Sequence, residues 1–413
     1  MKLIHLFDKT EVVSPAFVEI GGHKVAFISQ TGPSLAHKTP LVILGSAFEG
    51  IDNFQYELEQ ISKDMPVYLV DLPGFGTNLQ DAHDLNYDEY SRILKGFLDG
   101  QGIDKCSIAA LSYSSSIGYT FASLYPDRVS KLMIGGITKK LRESVRVTLE
   151  QSMQFLGAEE DEKFASSVAL NLMNFSQRHN IEKSEDLKKT LFHSLMQLNQ
   201  EEKEKYKTIN ARLMDSQPLP RSPQCPVLIV GGEFDNFMTP YECYEVANNC
   251  SDSTFVVIKG ADHLLSLEKK DVLTRLYRRF LADQPLNRMK DIEVFQSKEF
   301  PRERIRMEPR WLLNDVGYLD SGNGVFVPIN IVDINNFGCR LYTSFKDHRS
   351  LQRTNKFLLH LPDEEIQMEV ILFKQADNGH FRGIFQHYTF DGSRKFEGFI
   401  DKVAMNCSSA YAA

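Results

Sequence analysis

The chain has 413 residues, 42% hydrophobic and 25% charged, an ordinary globular composition that excludes disorder and a coiled coil and suggests two or three domains. Its 47 basic and 55 acidic residues give a net charge of −8, which excludes the basic footprint of a general DNA or RNA binder. No apolar stretch approaches the ~18 residues of a membrane span, and six scattered cysteines without a CxxC pair point to reduced thiols in a cytoplasmic protein rather than to disulfides or a metal site.

In the N-terminal MKLIHLFDKT, Asp8 and Lys9 cut the apolar run, so no export signal is read there. From there to residue 285, short apolar runs predict strands at 17–20, 25–29, 41–44, 67–70, 107–110, 131–134, 227–230 and 254–258. From residue 41 onward helix-length segments separate them, the signature of βα units and a mostly parallel sheet. The later runs are Val/Ile/Leu-rich without strict alternation, as in strands buried on both faces. Residues 138–215 interrupt the rhythm with helices: Phe164, Val168, Leu172 and Phe175 share one helical face, and Leu187, Leu191, Leu195 and Leu198 another. After 282–285 the pattern changes to period-two strands at 357–361, 366–373, 381–386 and 396–400, with a hairpin turn at Asp377-Asn378-Gly379. These features predict a first domain over 1–285 with a helical cap at about 138–215, and a small antiparallel β-barrel over 286–413. The second part balances 17 basic against 17 acidic residues, so the net −8 belongs to the first.

Three positions at predicted strand ends carry the chemistry. Ser112 follows the run 107–111 and precedes a helical segment, the placement of a nucleophile elbow, with small neighbours at Ala110 and Ser114 in place of the two glycines of G-x-S-x-G. Asp235 follows the run 225–230 and His263 the run 254–258, both where an open α/β sheet presents reactive groups. Singly each is an ordinary loop residue. In the order Ser, Asp, His they form a candidate catalytic triad, with His263 as base for the Ser112 hydroxyl and Asp235 orienting the imidazole. Asp262 and Glu233 are the decoy acids. An oxyanion needs backbone N–H donors, predicted at Tyr113 and, in the loop Gly45-Ser46-Ala47-Phe48-Glu49-Gly50, at Ser46, with Ala47 second. Gly74 and Gly76 read as turn glycines, not a phosphate cradle.

The segments LGSAFEG, VDLPGFG, AALSYSSS, YPDRV, GGEFD and GADH resemble the α/β-hydrolase superfamily, and within it the hydroxyalkanoyloxyalkanoate synthases of rhamnolipid biosynthesis, through VYLVDLP, Ala-x-Ser, GGEFDNFMTP and GADHLLSLE. Leu44 replaces the usual His before Gly45, and Ser114 the second elbow glycine. The resemblance implies a hydrolase sheet with a helical cap and attack by one 3-hydroxyacyl hydroxyl on a second, serine-bound hydroxyacyl group. The substrate would be an acyl thioester or ester, with an acyl carrier protein as one candidate carrier. An apolar cap can wall an acyl pocket, each buried methylene contributing ~0.8 kcal/mol.

In the second part, Arg302-x-x-x-Arg306 and, after a strand-like run at 324–332, Asp333-x-Asn335-x-x-Gly338 resemble the RxxxR and [D/N]xSxxG motifs of the PilZ domain, over about 297–403, with Asn335 in the serine position. That resemblance implies cyclic di-GMP as a regulatory ligand: guanidinium groups bind phosphate and stack on guanine. The expected protein is a cytoplasmic serine acyltransferase or hydrolase under cyclic di-GMP control. The alternatives are a plain esterase or thioesterase under the same control, and a catalytically idle cyclic di-GMP effector that binds a protein partner.

Overall fold

Alternate residues of the Val/Ile/Leu-rich runs are buried on opposite faces of one sheet. Val42, Leu44, Ile108, Ala110, Ile134 and Ile229 enter one core layer, and Leu41, Ile43, Ala109, Leu111, Met133 and Leu228 the other. The structure, a computed structural model, describes residues 14–47, 49–76, 78, 85–215, 219, 221–295, 300–301, 308–322, 324–343, 356–362, 366–376, 379–387 and 389–406.

The sheet has nine strands: β1 (Ala16–Ile20), β2 (His23–Gln30), β3 (Leu41–Leu44), β4 (Val67–Asp71), β5 (Cys106–Leu111), β6 (Val129–Gly135), β7 (Val227–Gly232), β8 (Ser253–Ile258) and β9 (Ile292–Phe295). Their order is β1-β2-β4-β3-β5-β6-β7-β8-β9. β3 to β8 are parallel, while β1, β2 and β9 pair antiparallel at the two edges. The helices α1 (Gln55–Ile61), α2 (Tyr87–Gly100), α3 (Tyr113–Leu124), α4 (Glu143–Gly157), α5 (Asp161–Leu172), α6 (Ser184–Met196), α7 (Gln200–Met214), α8 (Pro240–Ala247), α9 (Leu265–Glu268) and α10 (Lys270–Leu281) follow in the chain. The inter-strand segment is helical, as its periodicity predicts, and Phe164, Leu191 and Leu195 are fully or almost fully buried.

The second set of strands is β10 (Trp311–Asp320), β11 (Phe326–Ile334), β12 (Gly338–Tyr342), β13 (Lys356–Leu361), β14 (Ile366–Ala376) and β15 (His380–Phe385). They close into an antiparallel barrel in the order β10-β11-β12-β15-β14-β13. β14 and β15 pair up to Ala376 and His380, and Gly379 between them has φ +80°; Asp377 and Asn378 of the predicted turn lie outside the described residues. The predicted strand at 396–400 is instead part of a helix, α11 (Phe390–Asn406). Phe396, Phe399, Ile400 and Val403 recur at i, i+3, i+4 and i+7 and are buried together in the barrel core, so the helical period prevails over the short apolar run. β10 and β12 were not predicted: a bulge between Leu312 and Asp315 breaks the alternation of the first, and the second is only five residues long.

The chain divides into two compact units, one of 1–141 and 172–305 and one of 142–171 and 306–413. The first therefore runs past the expected boundary at 285 to include β9, and the second takes α4 and nearly all of α5 from the expected cap. Within the second unit, Val147 of α4 packs on Ile371 and Ile384 of the barrel, with Phe373 alongside. Lys163 of α5 and Lys356 of β13 each lie 5.7 Å from the Phe155 ring centroid. Val147→Ala is therefore expected to cost about 1–2 kcal/mol. Because α4 and the barrel share a core, hydrogen exchange at the Ile371 and Ile384 amides should accelerate as well as exchange within α4.

Candidate active site

β5 ends at Leu111 and α3 begins at Tyr113, so a single residue must turn the chain. That residue is Ser112, with φ +53° and ψ −127°, a backbone geometry a non-glycine residue adopts only under constraint. The constraint comes from both sides. The Ser112 amide donates to the Gly135 carbonyl at 2.7 Å, and the Ser115 amide to the Ser112 carbonyl at 3.0 Å. The Ser115 hydroxyl lies 2.7 Å from the Gly135 carbonyl and accepts the Gly135 amide at 3.2 Å. The Ser114 hydroxyl donates to the Leu111 carbonyl at 2.9 Å, so the two serines after the turn stitch helix to strand.

Ser112 Oγ lies 3.0 Å from His263 Nε2, and His263 Nδ1 lies 2.8 Å from Asp235 Oδ2. The other Asp235 oxygen accepts the amides of Phe237 at 2.9 Å and Met238 at 2.8 Å, which fixes the carboxylate. The Phe237 ring covers the imidazole edge-on at 5.0 Å. His263 and Asp235 are buried. Burial alone would hold the imidazole neutral, but the Asp235 charge and hydrogen bond, with Glu49 and Glu268 beyond, outweigh it and raise the His263 pKa.

The decoy acids have other partners. Asp262 accepts the amides of Asn174 and His263, and Glu233 accepts the Gly260 amide at 2.8 Å. Burial, followed by the Glu268 and Asp235 charges, raises the Asp262 pKa well above the usual range. The Tyr113 amide opens α3 with no acceptor among the described residues. Ser46, the other expected donor, is spent: its amide donates to the Glu49 carbonyl at 2.5 Å, which leaves Ala47, the second choice, without an acceptor among the described residues.

Several site residues escaped sequence reasoning. Gly136 has φ +61°, and a Cβ there would lie 3.0 Å from His263 Cε1, so only glycine fits beneath the imidazole. Asp71 fills the space at Gly45, Gly50 and Gly76, where a Cβ would meet its carboxylate at 3.0 Å or closer, and accepts the Ile51 amide at 3.1 Å. This buried carboxylate shapes the loop that carries Ala47. Glu49 accepts the Ser266 hydroxyl, and burial pushes its pKa up to about 7. A glycine beside the reading frame of each strand end was the only available signal.

Arg302, Arg304 and Arg306 lie outside the described residues. Asp333 is gripped by Arg310 at 2.6 Å and Arg340 at 2.9 Å. Asn335 Oδ1 accepts the amides of Phe337 at 3.0 Å and Gly338 at 2.9 Å, so this side chain pins its own turn. The close backbone approach that Gly338 permits is to β15, where a Cβ would lie 2.5 Å from the Gly383 carbonyl. Among the described residues no cluster of metal-ligating side chains occurs, and no helix is long and apolar enough to cross a membrane.

Residues 39–270 match the family model of the alpha/beta hydrolase fold. A 2-hydroxy-6-oxononadienedioate/2-hydroxy-6-oxononatrienedioate hydrolase of Paraburkholderia phymatum is 32% identical over 139 residues, 31% of this chain and 46% of that protein. A poly(3-hydroxyalkanoate) depolymerase of Ectopseudomonas oleovorans is 24% identical over 102 residues, 25% of this chain and 36% of that one. The match thus spans less than half the length of either curated relative. The solved structure of MGS-M2, an enzyme from a Medee basin deep-sea metagenome library, aligns with a TM-score of 0.58 at 16% identity, covering 66% of this chain and 98% of that one. A thermophilic esterase from Thermogutta terrifontis aligns at 0.54 and 19% identity, covering 66% and 99%. These two likenesses are of fold.

The geometry separates the two aspartates by a simple measurement. Asp235→Asn should slow fluorophosphonate labelling of Ser112 by a factor on the order of 10⁴, and Asp262→Asn by less than about tenfold. A larger effect at Asp262 would move the orienting role to that residue.

Proposed function

The chain belongs to the alpha/beta hydrolase fold family, and from that premise we propose that it is a serine-dependent acyl-transfer enzyme with Ser112 as nucleophile, His263 as base and Asp235 as orienting acid. The continuous contact from Ser112 Oγ to His263 Nε2 at 3.0 Å and from His263 Nδ1 to Asp235 at 2.8 Å carries this reading. His263 takes the hydroxyl proton as Ser112 Oγ bonds to the acyl carbon, and Asp235 stabilises the imidazolium. The amides of Tyr113 and Ala47 receive the oxyanion. Collapse of the tetrahedral adduct breaks the bond to the thiol or alcohol, which leaves with the His263 proton. An acceptor hydroxyl then reverses the sequence: His263 removes its proton, and the acyl group passes to it and frees Ser112.

The acceptor in this proposal is a 3-hydroxyacyl group and the substrate a 3-hydroxyacyl thioester. The resemblance to hydroxyalkanoyloxyalkanoate synthases supports it, as does similarity to a depolymerase whose name denotes a 3-hydroxyalkanoate polymer. Mass spectrometry of products from a 3-hydroxyacyl thioester should show an ester-linked dimer, absent with Ser112→Ala. Free acid alone would make the enzyme a thioesterase. An unlabelled, inactive Ser112 in a folded chain would make it an idle effector.

Cyclic di-GMP control is the second part of the proposal. Its support is a closed antiparallel barrel in which two arginines, Arg310 and Arg340, flank Asp333 at the turn with PilZ-like sequence. Segment 142–171, which shares the barrel's compact unit, continues covalently into Gly136 at one end and Asn174 at the other. Gly136 packs on His263 and Asn174 bonds Asp262, so the chain itself offers a route from barrel to catalytic loops. Titration calorimetry of the full chain with cyclic di-GMP should show binding that Arg302→Ala and Arg306→Ala abolish and Arg310→Ala weakens. No heat at high nucleotide would remove this control.

A further inference from the structure

α7 turns one face toward the body of the first unit. Lys205, Ile209 and Arg212 recur on it at i, i+4 and i+7. Ile209 is buried in the sheet's core layer, which fixes the orientation of the face. Lys205 lines a small cavity together with Ala47. About two turns further on, Arg212 Nη1 donates to Tyr90 Oη at 2.8 Å, and the guanidinium lies 5.5 Å from the Tyr90 ring centroid. Tyr90 Oη in turn donates to the Pro73 carbonyl at 3.0 Å, so its hydrogen is already used.

What remains around Arg212 is a set of neutral phenols. Arg212 Nη2, Tyr87 Oη and Tyr113 Oη are buried and make no well-formed hydrogen bond among the described residues; their nearest polar neighbours are one another, Tyr113 beside Arg212 and Tyr87, with Ser116 beside Tyr87. The rings of Tyr87 and Tyr113 are 5.6 Å apart, and Phe75 packs on Tyr113 at 5.6 Å and on Tyr90 at 5.4 Å. Among the described residues no carboxylate pairs with Arg212. Burial raises the pKa of both Tyr87 and Tyr113, so each phenol stays neutral and able to donate. A buried cation whose neighbours are phenols rather than a carboxylate is costly unless an anion accepts from it and from them. The position of Arg212 in the last turn of α7 suits the helix dipole, but does not account for a guanidinium turned inward with no carboxylate beside it among the described residues. Tyr113 is the residue after Ser112, which places this enclosure one residue from the nucleophile.

We propose that Arg212, Tyr87 and Tyr113 form a carboxylate-recognition site of the substrate pocket. The substrate then carries a free carboxylate besides the acyl carbon that Ser112 attacks, either on the acyl group itself or on the acceptor hydroxy acid. A planar guanidinium with two phenols matches the two oxygens of a carboxylate, and the aromatic walls exclude competing water. The proposal rests on Ser112 being the nucleophile, and it refines specificity rather than the chemical step.

Binding and turnover test it separately. In the full-length Ser112→Ala protein, where no chemistry is possible, glutarate and 3-hydroxyoctanoate are titrated by calorimetry. At least one should bind, at least tenfold more weakly after Arg212→Gln, and with part of the affinity restored by Arg212→Lys. With Ser112 intact, the ratio of kcat/KM for 4-nitrophenyl hemiglutarate to that for 4-nitrophenyl valerate reads an acyl-borne carboxylate. The ratio of transfer to 3-hydroxyoctanoate over its methyl ester reads an acceptor-borne one. Either ratio should fall at least tenfold in Arg212→Gln and severalfold in Tyr87→Phe, chiefly through KM. Because each ratio is internal to one protein, partial loss of fold cancels. Binding without turnover in the intact enzyme would fail the serine reading and keep the site. If neither acid binds, or both bind Arg212→Gln as tightly as its parent, the proposal is overturned.

Discussion

The positive φ at Ser112 is the constraint on which the catalytic geometry depends. Such a backbone costs about 1–3 kcal/mol, and it persists only where the surroundings leave no alternative. Here β5 and β6 hold the strand end through the Ser112 amide and the Gly135 carbonyl, and Ser114 and Ser115 tie the first turn of α3 back to the strand. Gly118 lets that helix lie close on the sheet, where a Cβ would meet Ala110 Cβ at 3.4 Å. The hydroxyl is thereby lifted off the strand end toward His263, and the Tyr113 amide is left at the open end of a helix. Small hydroxyl residues thus serve where the two elbow glycines of the common motif would sit.

The second organising feature is the buried negative charge around His263. Asp235 bonds the imidazole, Asp262 bonds its backbone amide, and Glu268 accepts the amides of Asp262 and Leu264. Fully ionised, so many carboxylates would trap a proton on the histidine. Burial acts against this by pushing Glu49 and Glu268 each up to about 7, which favours their neutral forms. Asp235 is held by two backbone amides on one oxygen and by the imidazole on the other. The field at His263 is therefore dominated by the one acid that also fixes its tautomer.

The second unit is built on a different economy. Its barrel excludes edges by closure, and α11 fills its core with Phe396, Phe399, Ile400 and Val403. The outward face of β14 and β15 is not left to solvent but receives Val147 of α4. A segment inserted between two strands of the sheet therefore gains part of its core from residues more than 200 positions later in the chain. Asn335 gives up its side chain to its own turn, and Asp333 balances two arginines. The local charge of this turn is thus set by arginines that surround it rather than by the polar residues of the motif.

The sequence alone determined what depends on neighbours in the chain. Apolar runs marked every strand from β1 to β8, because a strand buried on both faces needs such a run whatever packs on it. The order Ser112, Asp235, His263 at strand ends was legible for the same reason: each sits one short loop beyond a readable strand. The helix at 390–406 was misread over 396–400, since five residues are too few to separate period two from period 3.6. Tertiary structure decided the rest, where the governing partner is remote. It set the glycine cradle around Asp71, the inward turn of Arg212 and the union of α4 with the barrel. In each case a hydrogen bond or close contact is fixed by how two segments meet in space. Local propensity and spacing carry no record of that meeting.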